Sequence, residues 1–209
     1  MHPKNLLIAV ALAIALIAGL LAFTLFEAPQ TPSTSPPPLT ATLFPAPVPL
    51  PEFELVDQAG VAARRDVFEG HWDLVFFGFT SCPDICPITL SVLADAKTKL
   101  ANAGHSPLPR IVLVSVDPER DTPQKLAEYV AYFGEDNLGL TGDIEEIRSF
   151  TKEVGVFFEK REVDGEDYTV DHSAVVLLID PDARLRGLFS SPHKAENFVN
   201  DLRVITAEG

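Results

Sequence analysis

Leu74-Val75-Phe76-Phe77-Gly78-Phe79-Thr80-Ser81-Cys82-Pro83-Asp84-Ile85-Cys86-Pro87 is the stretch that decides how this chain of 209 residues is read. From Leu74 to Phe79 it is continuously apolar, and Trp72 to Phe79 has the pattern of a strand buried on both faces of a sheet. The run ends in Cys82 and Cys86, the only two cysteines of the chain. Ile88, Val92, Leu93, Ala96 and Leu100 then fall on one helical face, with Gly104 available as a stop. A strand that ends in paired thiols and feeds a helix places both sulfurs at the carboxyl edge of a sheet, where open α/β folds build their sites. Pro87 loses nothing in a first helical turn, because the leading amides have no intrahelical acceptor. Cβ atoms four residues apart lie about 5–6 Å from each other there, a gap that modest adjustment closes to the roughly 3.5–4.5 Å of a disulfide. The same pair can straddle one soft metal ion. A helix amino terminus favours the thiolate form, and Asp84 between the cysteines opposes it.

Outward from this stretch, Ile111-Val112-Leu113-Val114-Ser115-Val116 predicts a second central strand. A helix capped by Asp121 or Thr122 follows, with Pro123 in its first turn and Leu126, Val130 and Phe133 on its buried face before Gly134. A third helix starts near Asp143 and turns Ile144, Ile147, Phe150 and Val154 inward. Val156-Phe157-Phe158 reads as a short strand. Ala174 to Ile179 is a strong one, and it turns at Asp180-Pro181-Asp182 into the antiparallel strand Leu185 to Phe189. A final helix opens at Ser191-Pro192 and buries Ala195, Phe198, Leu202 and Ile205. On the amino-terminal side, Phe53-Glu54-Leu55-Val56 and the turn Asp57-Gln58-Ala59-Gly60 predict a small hairpin. Parallel strands first, then an antiparallel hairpin and a helix, give an α/β, thioredoxin-like fold with an amino-terminal β-hairpin extension.

Ahead of that domain, Leu6 to Phe26 is free of charge over 21 residues, which as a helix spans roughly 31 Å and matches a bilayer core. The expectation is one transmembrane helix within an anchor of residues 1–27. It is too long for the apolar region of a cleaved signal peptide, and no cysteine follows to accept a lipid. Lys4 keeps the amino terminus cytoplasmic, so the soluble part is expected in the periplasm, held to a bacterial inner membrane by a single pass. From Ala28 to Pro51, nine of 24 residues are proline, a composition that favours polyproline II and predicts a tether over 28–51. Residues 52–209 form the remaining domain. They hold all but one of the 16 basic and all but one of the 30 acidic residues, for a net charge of −14. That balance repels nucleic acid and anionic headgroups, so no nucleic-acid partner is expected.

Of five histidines, His2 lies in the amino-terminal tail, His71 beside the predicted hairpin, His105 in a Gly-Ser-Pro loop and His193 in the first turn of the last helix. All four read as solvated or capping residues. His172, in Tyr168-Thr169-Val170-Asp171-His172-Ser173, directly precedes the strand from Ala174, and the loop entering that strand faces the thiols in a thioredoxin-like sheet. Spacing leaves two roles open to it, metal ligand and local hydrogen-bond partner. For the cysteines, a structural disulfide is the plain alternative in an oxidising compartment, weakened because so short a loop is the least rewarded by closure entropy.

Three separated segments together resemble the Sco/SenC family: Phe77 to Pro87, Val114 to Pro123 with its Asp117-Pro118-Glu119-Arg120-Asp121-Thr122-Pro123 loop, and Asp171-His172-Ser173. The resemblance covers the chain from Glu52 onward. It implies a membrane-anchored, thioredoxin-like copper protein that helps assemble the dinuclear copper site of cytochrome c oxidase, with Cys82, Cys86 and His172 as copper ligands. Ser81 stands where several members carry histidine. Cytochrome c oxidase subunit II is the implied partner, with another periplasmic copper chaperone or a thiol reductase beside it. Two thiolates and an imidazole suit Cu(I), and with an added ligand Cu(II). Asp171 is placed to orient His172 or to cap its loop, while Asp117 and Asp121 shape the rim of the site or cap turns. The rival activity is thiol-disulfide exchange, with Cys82 attacking and Cys86 resolving.

Overall fold

The computed structural model describes Ile17, residues 39–163 and residues 166–207, residues 166 and 167 by their backbone. Apart from Ile17, the expected membrane span Leu6–Phe26 and the tether over 28–38 lie outside the described residues. Among the described residues no helix is long and apolar enough to cross a membrane.

Among the described residues from 39 onward, ten strands and four α-helices follow in chain order. They are β1 (Thr42–Pro49), β2 (Leu55–Asp57), β3 (Ala62–Ala63), β4 (Asp73–Gly78), α1 (Ile85–Asn102), β5 (Arg110–Ser115), α2 (Pro123–Phe133) and β6 (Leu138–Thr141). Then come α3 (Ile144–Glu153), β7 (Phe158–Val163), β8 (Glu166–His172), β9 (Val176–Asp180), β10 (Arg184–Phe189) and α4 (Ala195–Ile205). One 3₁₀ turn, Arg65–Phe68, precedes β4. Eight strands form one sheet in the order β1-β10-β9-β4-β5-β6-β2-β3, and β7 pairs only with β8. β4, β5 and β6 run parallel, and β9 lies antiparallel to β4. The predicted parallel-then-antiparallel order, the β2–β3 hairpin and the closing helix are all present.

β4 is central: every one of its residues is buried, the apolar run from Leu74 and, at its start, Asp73. Alternation along the strand sets Phe77 against Phe150 of α3, ring centroids 5.8 Å apart. Phe76 and Gly78 take the other face. Where β4 and β5 begin, the Arg110 guanidinium donates through Nε to the fully buried Asp73 carboxylate at 2.7 Å and through a terminal nitrogen at 3.1 Å. Burial raises the pKa of Asp73, and Arg110 opposes that rise. The helix caps follow the sequence: the Thr122 side chain accepts from the amide of Lys125, and Asp143 accepts from those of Glu145 and Glu146.

Three expectations are corrected. The tether does not reach Pro51, since Thr42–Pro49 is an edge strand paired with β10 from Thr42↔Leu188 to Pro49↔Arg184. Proline lacks an amide donor and is excluded from central strands, but an edge leaves one side unpaired and tolerates it. The buried face of α1 is rotated: Cys86, Thr89, Leu90, Leu93, Ala96 and Leu100 point inward, and Ile88 is 54% exposed. His193 precedes the last helix, and its Nε2 lies 2.7 Å from the carbonyl oxygen of Ala174.

The entry into β1 is anchored by Asp201 of α4. Its Oδ2 accepts from the Thr40 amide, the Thr40 hydroxyl and the Ala41 amide, each at 2.7 Å. Because Ala41 is buried, removing the carboxylate strands a desolvated amide. Asp201→Ala is expected to lower stability by about 1–3 kcal/mol in urea denaturation, and an unchanged midpoint would refute the anchor.

Candidate metal centre

Cys82, Cys86 and His172 come together: their ligand atoms all lie within 4.8 Å of one another. Each reaches the site from a different piece of backbone. Cys82 sits in the loop after β4, where its amide donates to the Phe79 carbonyl at 3.2 Å. Cys86 is the second residue of α1 and is fully buried. His172 ends β8, 86 residues further on, with Nε2 3.4 Å from Cys86 Sγ. Both thiols are free.

The ring of His172 is held edge-on to Phe76 and Phe79, with centroids 5.6 and 6.0 Å away. Its Nδ1 lies 3.1 Å from the carbonyl oxygen of Ser173. A carbonyl can only accept, so Nδ1 donates to it and Nε2 is the ring nitrogen turned to the sulfurs. Gly78 makes room for this meeting: a Cβ on it would stand 2.8 Å from Cys86 Sγ and 3.0 Å from the Phe76 ring.

The two thiols are electrostatically unlike. The Cys86 thiol donates to Cys82 and holds its pKa down to about 4; burial opposes this, while His172 and the amides of Asp84 and Cys86 assist. The Cys86 amide, a free donor of the first helical turn, stands 3.5 Å from Cys82 Sγ. Cys86 is pushed up by its bond to Cys82 and by burial. The pair is therefore one thiolate on a half-exposed residue and one thiol on a buried one. A cation that binds both sulfurs displaces the Cys86 proton.

Asp171 does not orient His172. Adjacent strand residues face opposite ways, and the Asp171 carboxylate is taken by Arg161 at 2.9 and 3.2 Å. Asp121 and Asp117 are buried beneath the site. Asp121 accepts from the Thr80 amide at 2.9 Å and from the Ser115 hydroxyl at 2.8 Å. Asp117 accepts from Arg120 and from the Tyr168 hydroxyl at 2.7 Å. Gly78 and Arg120 lie in quoted motifs and Tyr168 beside His172, but their roles become visible only where the hairpin meets the thiol loop. Of the other histidines, His105 bonds Thr206 and His71 bonds the Glu69 carbonyl. His2 is outside the described residues.

The family model described as SCO1/SenC matches residues 45–207. The chain belongs to the SCO1/SenC family. A candidate copper-binding protein of Stutzerimonas stutzeri is 40% identical over 148 residues, 70% of this chain and 72% of that one. The mitochondrial SCO1 homolog 1 of Arabidopsis thaliana is 39% identical over 149 residues, 71% of this chain and 44% of that longer one. The crystal structure of Arabidopsis ScoI with copper bound superposes with a TM-score of 0.71 at 36% identity, covering 76% of this chain and 98% of that one. The Sco fold of this chain is thus of the mixed α/β, thioredoxin type.

Two outcomes are expected of the metal-free protein. Iodoacetamide at about pH 6, where an ordinary thiol of pKa about 8.5 is almost wholly protonated, labels Cys82 alone. Its rate falls only as the pH drops toward about 4. Peptide mass mapping checks both points, and equal labelling of the two thiols would refute them. Gly78→Ala keeps the fold but overpacks Cys86 at a cost of about 1–3 kcal/mol. Denaturant titration reads the cost, and a shifted His172 ring signal in NMR locates it.

Proposed function

We propose that this Sco protein is a copper chaperone of cytochrome c oxidase assembly, binding copper through Cys82, Cys86 and His172 and passing it to the dinuclear site of subunit II. The observation that carries the reading is the convergence of two sulfurs and one imidazole nitrogen within 4.8 Å. Soft thiolates select Cu(I) over hard cations, three donors satisfy it, and a further ligand accommodates Cu(II). Zinc prefers a fourth protein ligand, and the only described cluster of donors offers three. The chain has a single methionine, Met1, so a Met-rich carrier is ruled out. Copper bound in the related Arabidopsis ScoI supports the choice of cargo. Transfer proceeds by ligand exchange: an incoming thiolate meets the half-exposed Cys82 side first, and the buried Cys86 is released last. The proposed setting is the periplasmic face of a bacterial inner membrane, with residues 1–27 as anchor and the chain up to 41 as tether. Another copper chaperone is the proposed donor.

A second reading, thiol-disulfide exchange on the cysteines of the same subunit, is favoured by the low pKa of Cys82 beside a protonated Cys86. The Cys82 thiolate attacks a target disulfide and one target sulfur leaves as thiolate. Cys86 then loses its proton and attacks the mixed disulfide, so the pair is oxidised by two electrons and the target reduced by two.

His172 separates the readings. In anaerobic Cu(I) titration read by X-ray absorption, His172→Ala is expected to lose its nitrogen scatterer and bind at least about tenfold more weakly, with dithiol exchange preserved. Equal copper affinity in mutant and wild type would sink the chaperone reading.

A further inference from the structure

β8 carries His172 but belongs to a two-stranded sheet that shares no ladder with the main one, whereas the cysteines follow a main-sheet strand. Something must fix one against the other, and the loop from Asp117 to Asp121 touches both. At one end, Asp121 holds the amide of Thr80, two residues before Cys82, and receives the Ser115 hydroxyl. At the other, Asp117 is bonded by the hydroxyl of Tyr168, four residues before His172 on β8, at 2.7 Å. Arg120 closes the connection. Its Nε donates to Asp117, a terminal nitrogen donates to the Tyr168 carbonyl at 3.0 Å, and its guanidinium lies 4.0 Å from the Tyr168 ring centroid. The same guanidinium stands 5.5 Å from the Phe79 ring, which is edge-on to His172. From the hairpin side, Lys160 pairs with Glu119 at 2.7 Å and caps the Tyr168 ring at 3.5 Å.

We propose that Arg120 and Tyr168 are positioning residues that clamp the β7–β8 hairpin to the thiol loop, and so decide whether a bound ion keeps its imidazole ligand. The inference rests on the three-ligand copper site proposed above. A buried carboxylate between two donors and a cation stacked on aromatic faces are contacts strong enough for the task. They also explain why a loop without a ligand is tied to both halves of the centre.

The test compares wild type, Arg120→Gln and Tyr168→Phe, the last keeping the ring and losing only the hydroxyl. Metal-free protein is followed by NMR of the His172 ring and by amide hydrogen exchange in β7–β8 and in β4–β5. Cu(I)-loaded protein is followed by affinity and X-ray absorption. Faster exchange confined to the hairpin, an altered ring signal, loss of the nitrogen scatterer with both sulfurs kept, and affinity about tenfold lower in Arg120→Gln are expected, with a smaller loss in Tyr168→Phe. Should Arg120→Gln not fold, Tyr168→Phe alone decides. Unchanged ring signal and affinity in a folded variant would overturn the clamp, as would loosening spread evenly over β4–β5. If wild type itself shows no nitrogen scatterer, the three-ligand reading fails instead; the metal-free NMR still judges the clamp.

Discussion

The approach of His172 Nε2 to Cys86 Sγ, 3.4 Å across 86 residues of sequence, is the constraint to which the rest of the molecule answers. It demands that the carboxyl end of β4, the amino end of α1 and the last residue of β8 share a small volume. Gly78 satisfies this by omission, since any Cβ there would crowd the sulfur at 2.8 Å. Phe76 and Phe79 satisfy it by walling the imidazole edge-on. The hydrogen bond from Nδ1 to Ser173 adds direction, leaving Nε2 on the sulfur side.

An acidic protein has a particular difficulty in building such a site. Two thiolates and nearby carboxylates repel one another in a poorly solvated volume. Here the nearby buried carboxylates are engaged by donors: Asp121 by Thr80, Ser115 and, at 3.7 Å, Lys125, and Asp117 by Arg120 and Tyr168. Their charge is spent on holding loops. The thiols divide the remaining problem between them, one ionised and half-exposed, the other protonated and buried. A single negative charge is easier to keep than two, and a cation supplies what the second ionisation needs.

Much of this was legible in the chain. Trp72 to Phe79 announced a central strand because both faces of β4 are covered, and the paired thiols, the caps at Thr122 and Asp143, and the closing hairpin and helix are local signals that local structure obeys. The three residues that converge were named as well, through motif resemblance; spacing alone left His172 with two roles. The misreadings came where tertiary context overrode composition. Prolines at 45, 47 and 49 look like tether, yet an edge position beside β10 makes them strand. Ile88 lies in the apolar stripe by sequence, yet burying Cys86 rotates the face of α1 and leaves it outside. β6, four residues with a glycine, was too short to stand out, and pairing with β5 and β2 defines it.

The strand that ends in two sulfurs, the helix that begins at them and the donor chemistry available can all be read from the chain, because they follow from periodicity, capping and residue type over a few neighbouring positions. Packing, by contrast, brings an imidazole from a separate hairpin to meet them, turns Asp171 away to Arg161, and leaves one thiol buried and protonated beside an ionised partner. Those outcomes depend on through-space distances and desolvation, which arise only when segments remote in the chain are packed against each other.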